Sequence, residues 1–295
     1  MKSGVLLINK PAGFTSSKIV QSVRKICDLK KIGHAGTLDP LATGVLVLVI
    51  GEATKFSQFA LDADKSYRTV VQLGIETDTL DADGVITNLS KVPSLSKEMI
   101  ESVLHTLRGK IYQSPPAFSA LKKNGERFYK LARNGVMAKP KARQVHVHDI
   151  KLTFLDILNS RLHLNIKCSK GTYIRSLAES IGRVIGSGAH VLSLERTQSG
   201  PFKLADCLSF FELKILSDKN FAGLSKIVLP CEVLVKDLAQ VALDNSESCR
   251  LLTGQIVYRE AIKMCHNVAL FDKDGKFIGV GERFLDGSIK PKRMM

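Results

Sequence analysis

One carboxylate of the chain lies in a setting that restricts where it can point. Asp39 belongs to Gly33-His34-Ala35-Gly36-Thr37-Leu38-Asp39-Pro40-Leu41-Ala42-Thr43-Gly44, a stretch holding three glycines and a proline. Glycine admits positive φ and lets another group come close, while Pro40 turns residue 39 away from the helical region. A carboxylate held this way is a candidate nucleophile or acid–base group. The same spacing also suits an Asx-Pro turn, with the carboxylate accepting from the amide of Leu41.

The other chemically suggestive clusters are weaker. Glu76, Asp78, Asp81 and Asp83 end at Gly84 in the manner of a calcium loop. With Gly84 at the sixth position, however, Thr79 and Ser90 fall where carboxylate ligands are needed. His146 and His148 share a strand face without a third ligand nearby. Cys27, Cys168, Cys207, Cys231, Cys249 and Cys265 never form Cys-x-x-Cys, which suits reduced thiols in a cytoplasmic protein. Glycoside hydrolysis takes a pair of carboxylates, and the Asp39 loop offers one. No cofactor and no metal are expected.

The elements that must position Asp39 follow from periodicity. Val45-Leu46-Val47-Leu48-Val49-Ile50 reads as a strand buried on both faces, and Gly4 to Asn9 as another. Thr15, Ser16 and Ser17 offer N-caps for a helix to about Cys27, with Ile19, Val20, Val23 and Ile26 on one face. Further along lie a short helix over 53–61, a strand over 65–73, a helix over 96–107 and a strand from Gly109 to Gln113. Paired strands are expected over 145–154 and 161–168, with Leu162, Leu164, Ile166 and Cys168 inward. A helix then carries Ile174, Leu177, Ala178, Ile181 and Ile185 on its inner face, and 209–229 is apolar and helical. Beyond Pro230, four short strand candidates (239–243, 256–259, 268–271 and 277–280) surround a Lys273-Asp274-Gly275 turn.

Charge indicates the kind of partner. The 295 residues include 43 basic against 28 acidic, a formal net charge of +15. Such an excess points to a polyanion, nucleic acid first and an anionic membrane second. The longest apolar runs are of about six residues, far short of the roughly 20 that span a bilayer, so no membrane attachment is expected. Lys18, Arg24, Lys25, Lys30 and Lys31 precede the Asp39 loop, and Lys139 to Arg143 add a second cationic stretch for phosphate contact.

The loop's wording, Gly-His-Ala-Gly-Thr-Leu-Asp-Pro-Leu-Ala-Thr-Gly-Val-Leu followed by Gly51-Glu52-Ala53-Thr54-Lys55, resembles the active-site segment of the TruB-type tRNA pseudouridine-55 synthases. Three further stretches resemble the same family: Lys65-Ser66-Tyr67-Arg68, Ser119-Ala120-Leu121-Lys122 through Tyr129 to Arg133, and Lys170-Gly171-Thr172-Tyr173-Ile174-Arg175. Gly188 to Thr197 extends the match. Phe118 and Glu195 depart from it, where the family usually has Tyr and Arg.

The resemblance implies an α+β fold with a mixed, mainly antiparallel central sheet flanked by helices. It places a catalytic domain over 1–235 and a small β-rich, PUA-like RNA-binding domain over 236–295. It also implies site roles. Asp39 is the nucleophile, attacking either the uracil ring or the ribose C1′. Tyr67 stacks on the base and is a candidate to take the C5 proton, which requires a phenolate favoured by neighbours such as Lys65 and Arg68. Arg175 pairs with Asp39, Tyr173 packs beneath it, Lys55 makes a supporting polar contact, His34 fills the space the base leaves, and Leu194 lines the pocket. An Arg beside the nucleophile makes chemical sense, since its planar fork fixes a carboxylate's rotamer.

The expected function is isomerisation of the T-loop uridine of tRNA by a cytoplasmic monomer with no obligatory protein partner. Its rivals are a non-catalytic RNA-binding protein on the same scaffold and a glycoside hydrolase.

Overall fold

The computed structural model describes residues 3–119, 121–123, 126–128, 140–219, 227–261 and 266–295. The expectations for Tyr129 to Arg133, Lys139, Cys265 and the middle of the 209–229 segment lie outside the described residues.

Eight strands form the main path of the large sheet: β1 (Gly4–Lys10), β2 (Thr43–Ile50), β3 (Lys65–Leu73), β4 (Gly109–Gln113), β5 (Arg143–Asp156), β6 (Arg161–Cys168), β7 (Ala189–Ser199) and β8 (Leu208–Ser209). Their spatial order is β8-β1-β2-β7-β3-β6-β5-β4. The β2–β7 and β1–β8 pairs are parallel and the other pairs antiparallel, so the sheet is mixed and mainly antiparallel. Ile32–His34 adds to β2 just ahead of the Asp39 loop. The expected strands over 65–73 and 161–168 hold their limits, and the one over 145–154 extends to Arg143 and Asp156.

β2 is apolar throughout because both of its faces are covered. Leu46, Leu48 and Ile50 enter a core with Ile19, Val23, Leu177 and Ile181 from the helices Ser16–Ile26 and Ile174–Ile185. Val45, Val47 and Val49 enter a second core with Phe56, Ala269, Phe277 and Val280. The alternation of a strand's side chains sends one sequence run into two cores. The helix over 53–61 resolves into a 3-10 turn, Gly51–Phe56, followed by the short α-helix Ser57–Asp62.

A five-stranded sheet follows, in the order Ala239–Ala242, His266–Phe271, Phe277–Arg283, Ser288–Met294, Val257–Tyr258. Phe277 meets Phe56 edge-on at 5.2 Å between ring centroids, so the two sheets share apolar packing. The strand Ser288–Met294 escaped the sequence reading because of its charges and Pro291, which faces Gly281 next to a register shift. The helix Asn245–Leu252 was missed too, although Asp244 and Glu247 form a capping box that announces it.

Candidate active site

Three parts of the fold hold the loop that carries Asp39. Ser16, at the start of its helix, accepts from the Leu38 amide at 2.8 Å and donates to the Leu38 carbonyl at 3.1 Å. The Pro40 carbonyl accepts from the Gly13 amide at 2.9 Å and from Lys10 Nζ at 3.1 Å. Arg196, buried in β7, donates to the carbonyls of Val45, Thr37 and Gly36 at 2.8, 3.2 and 3.0 Å. Gly44 makes that last anchor possible: at φ 101° its missing Cβ would collide with the Arg196 backbone.

The carboxylate itself is met by Arg175. Nη2 donates to Oδ1 at 3.0 Å, and Nε lies 2.9 Å from Oδ2. The Asp39 carbonyl accepts from the Ala42 amide at 3.1 Å, so the loop turns without using the carboxylate on Leu41. Buried Arg175 also donates to the carbonyls of Thr79 at 2.8 Å and Phe118 at 3.1 Å, and its Nη1 lies 3.3 Å from Asp81 Oδ2. The acidic segment that looked like a calcium loop is therefore a dock for this arginine. Thr79 Oγ1 donates to Asp81 Oδ1 at 2.6 Å and the Asp83 amide to the same oxygen at 3.2 Å. Burial nevertheless pushes the Asp81 carboxyl up.

Arg175 sits in the first turn of the helix Ile174–Ile185, and Gln113 of β4 fixes where that helix begins. The Tyr173 amide donates to Gln113 Oε1 at 2.7 Å, and Gln113 Nε2 donates back to the Tyr173 carbonyl at 2.9 Å. Two cavities meet at Asp39. The outer, of about 850 Å³, is lined by Thr15, His34, Asp81, Phe118 and Arg175. The inner, of about 240 Å³, is lined by Lys65, Tyr67, Arg143, Tyr173, Leu194 and Arg196. Asp39 thus stands where a larger cavity meets a smaller one walled in part by Tyr67 and Tyr173.

Residues 24–174 match the family described as TruB family pseudouridylate synthase (N terminal domain). The chain belongs to the TruB family. Two further family matches continue it, tRNA pseudouridylate synthase B C-terminal domain over 175–236 and Pseudouridine synthase II TruB, C-terminal over 239–295. The tRNA pseudouridine synthase B of Pseudomonas putida (strain GB-1) is 42% identical over 294 residues, covering 99% of this chain and 95% of the relative. The protein of the same name from Coxiella burnetii (strain RSA 493 / Nine Mile phase I) is 41% identical over 293 residues, covering 99% and 94%. Among solved structures, a chain of a Cbf5-Nop10-Gar1 complex aligns with a TM-score of 0.76 at 25% identity, over 99% of this chain and 84% of that one. A chain of an H/ACA RNP bound to a substrate RNA containing 2'-deoxyuridine shares the fold, with a TM-score of 0.75 at 23% identity, over 99% and 84%.

Within this TruB-family structure the residues singled out in the sequence divide. Asp39, Arg175 and His34 come together at the outer cavity, and Tyr67, Tyr173 and Leu194 at the inner one. Lys55 does not join them. It pairs with Glu52 and donates to the Met294 carbonyl at 3.0 Å. The reason is simple: Asp39 precedes β2, Lys55 follows it, and an extended strand of eight residues is about 26 Å long. Lys10 and Arg196 provide the supporting polar contacts instead. Lys10 Nζ donates to the carbonyls of Pro11, Phe14 and Pro40, and burial lowers it to about 8. Only their long-range position reveals either residue.

The cations expected to favour a Tyr67 phenolate are also committed elsewhere. Lys65 Nζ donates to the carbonyls of Ala60, Leu61 and Ala63 at 3.2, 2.7 and 2.6 Å. Arg68 pairs with Glu195 at 2.7 Å, which gives that departure from the family pattern an intramolecular partner. Burial pushes the Tyr67 phenol up, with Arg196 opposing it only in part. Phe118 supplies a backbone carbonyl to Arg175, a contact independent of its side chain.

Proposed function

We propose that this TruB-family protein isomerises the T-loop uridine of tRNA, position 55, to pseudouridine, with Asp39 as nucleophile. The observation that carries this reading is the Asp39 carboxylate, oriented by Arg175 at the junction of the two cavities. The substrate enters by extrusion from the folded loop, which costs its unstacking, and the Tyr67 ring receives the base. His34 on the outer side takes up the space left behind. Asp39 attacks the uracil ring or the ribose C1′, and the C1′–N1 bond breaks. The freed uracil turns within the inner cavity, against Tyr67, Tyr173 and Leu194. A new C1′–C5 bond then forms, Asp39 is released, C5 loses its proton and N1 gains one, so no atom is gained or lost overall. Covalent catalysis divides one difficult exchange into two easier ones.

The partner is the T-arm stem-loop, gripped mainly through phosphates, as the charge of +15 supports. In this reading residues 1–235 do the chemistry, 236–295 form the PUA-like RNA-binding domain, and the protein works as a cytoplasmic monomer without a partner protein. Among the described residues no helix is long and apolar enough to cross a membrane. Two further carboxylates line the cleft, Asp81, which is buried against Arg175, and Asp83, which is exposed, so the product of the reaction decides against glycoside hydrolysis.

Digestion of a T-arm RNA after incubation with the protein tests the reading. Pseudouridine at the target position is expected with the wild type. Asp39→Asn should bind the RNA and form none. Intact uridine with the wild type would indicate a binding protein, and an abasic product a hydrolase.

A further inference from the structure

Among the described residues three cations line the inner cavity, and two of them are spent on the protein. Lys65 uses its ammonium on three carbonyls, and Arg196 directs Nε, Nη1 and Nη2 at three more. Arg143, the first residue of β5, differs. Its guanidinium lies over the Tyr173 ring at 5.3 Å, and Nη2 donates to the Gly171 carbonyl at 2.5 Å. Among the described residues Nε has no hydrogen-bond partner and no carboxylate pairs with Arg143. Asp39, the carboxylate shared with this cavity, is already held by Arg175.

The placement is built into the fold. Arg143 is the register partner of Gln113, whose side chain clamps the Tyr173 backbone. Gly171 stands at φ +78°, where an added Cβ would lie 3.1 Å from Arg143 Nη2 and 3.2 Å from Cζ. The chain therefore leaves room for a flat guanidinium stacked on an aromatic ring, an arrangement suited to arginine rather than lysine. A half-exposed cation that no carboxylate among the described residues neutralises, edged into a recess, is free to donate to an acceptor from outside.

We propose that Arg143 is a substrate-binding residue that donates to an oxygen of the extruded uridine, either a uracil carbonyl or the phosphate on its 5′ side. This rests on the proposed isomerase reading. It makes Arg143, with Tyr173 beneath it, a determinant of how the base is seated after extrusion.

Single-turnover pseudouridine formation at saturating enzyme tests it, using wild type, Arg143→Gln and Arg143→Lys on four T-arm RNAs. These carry uridine, 2-thiouridine, 4-thiouridine, or a methylphosphonate 5′ to the target. Arg143→Gln should slow the uridine reaction at least about tenfold, one hydrogen bond to a charged group being worth roughly that much. One analogue should slow the wild type by a similar factor yet leave Arg143→Gln little further impaired. A thio analogue behaving so assigns a base carbonyl, and the methylphosphonate assigns the phosphate. Losses that multiply for every analogue overturn the proposal, as does an Arg143→Gln rate equal to wild type. Should Arg143→Gln fold poorly by thermal melting, Arg143→Lys, which keeps the charge without the fork, takes its place in the same cycle. No product from the wild type on uridine would refute the isomerase reading instead.

Discussion

Arg175 carries Asp39 on its Nε–Nη2 edge and Asp81 3.3 Å from Nη1, so one guanidinium is shared by two carboxylates far apart in sequence. Asp81 turns a buried arginine into an oriented one. Asp81→Asn keeps the volume and removes the charge, and the single-turnover rate should fall about tenfold to a hundredfold. RNA affinity should change little. Equal losses in rate and affinity would point to a general loosening of the cleft.

Tyr67 offers a face and a hydroxyl, and these can be separated. Tyr67→Phe should bind RNA like the wild type, whereas Tyr67→Leu should lose about 1 to 3 kcal/mol of base stacking. Because burial raises the phenol above its ordinary 10.0, the single-turnover rate should be flat with pH across the neutral range. A rate climbing steeply with pH in the wild type and flat in Tyr67→Phe would reveal a phenolate base.

Two buried lysines set an alkaline signature in stability. Lys10 and Lys65 are each lowered from 10.5 to about 8. Between those values the unfolded chain binds more protons, so their contribution to stability rises with pH. The thiols of Cys168, Cys207 and Cys231 are raised from 9.0 to about 11, 12 and 11. Above 9.0 the folded chain keeps protons that the unfolded one has lost, and stability falls. Urea midpoints should therefore climb from about pH 8 and turn over above pH 9, each lysine contributing on the order of 1 kcal/mol. Lys10→Met should lose part of the climb and start from a lower stability, having left three carbonyls without their donor.

The C-terminal sheet is not a detachable accessory, since Ala269, Phe277 and Val280 share a core with β2. Removing residues 236–295 would strip one face of that strand, so truncation would disturb the chemistry by destabilising the large sheet. Phe277→Ala should cost about 3 to 5 kcal/mol and melt both sheets in one transition. Two separated calorimetric transitions would contradict the shared core.

Binding of a T-arm stem-loop should weaken steeply with salt, log K falling by about 0.7 to 0.9 per phosphate neutralised for each unit of log salt. Replacing Lys18 and Lys25 on the Ser16–Ile26 helix with Gln should reduce that slope. A flat salt dependence would place the excess charge outside the RNA contact.

The sequence by itself determined most of the local elements and one loop. Unbroken apolar runs, stripes at helical spacing and the Gly-Pro punctuation around Asp39 are short-range signals, because strand alternation, capping and turn geometry depend on neighbours in the chain. Apart from Arg175, which the family motif already pairs with Asp39, tertiary structure alone decided which side chains reach that loop. Arg196 lies 160 residues from Gly36 and meets it because β7 runs parallel beside β2. Asp81 reaches Arg175 through a loop bridged to Val191 of the same strand. Lys55, nearer to Asp39 in sequence than either, is carried away by one extended strand. Proximity along the chain and proximity in space part company wherever a sheet inserts a distant strand between consecutive ones, and here that strand brings the residues that fix the Asp39 loop.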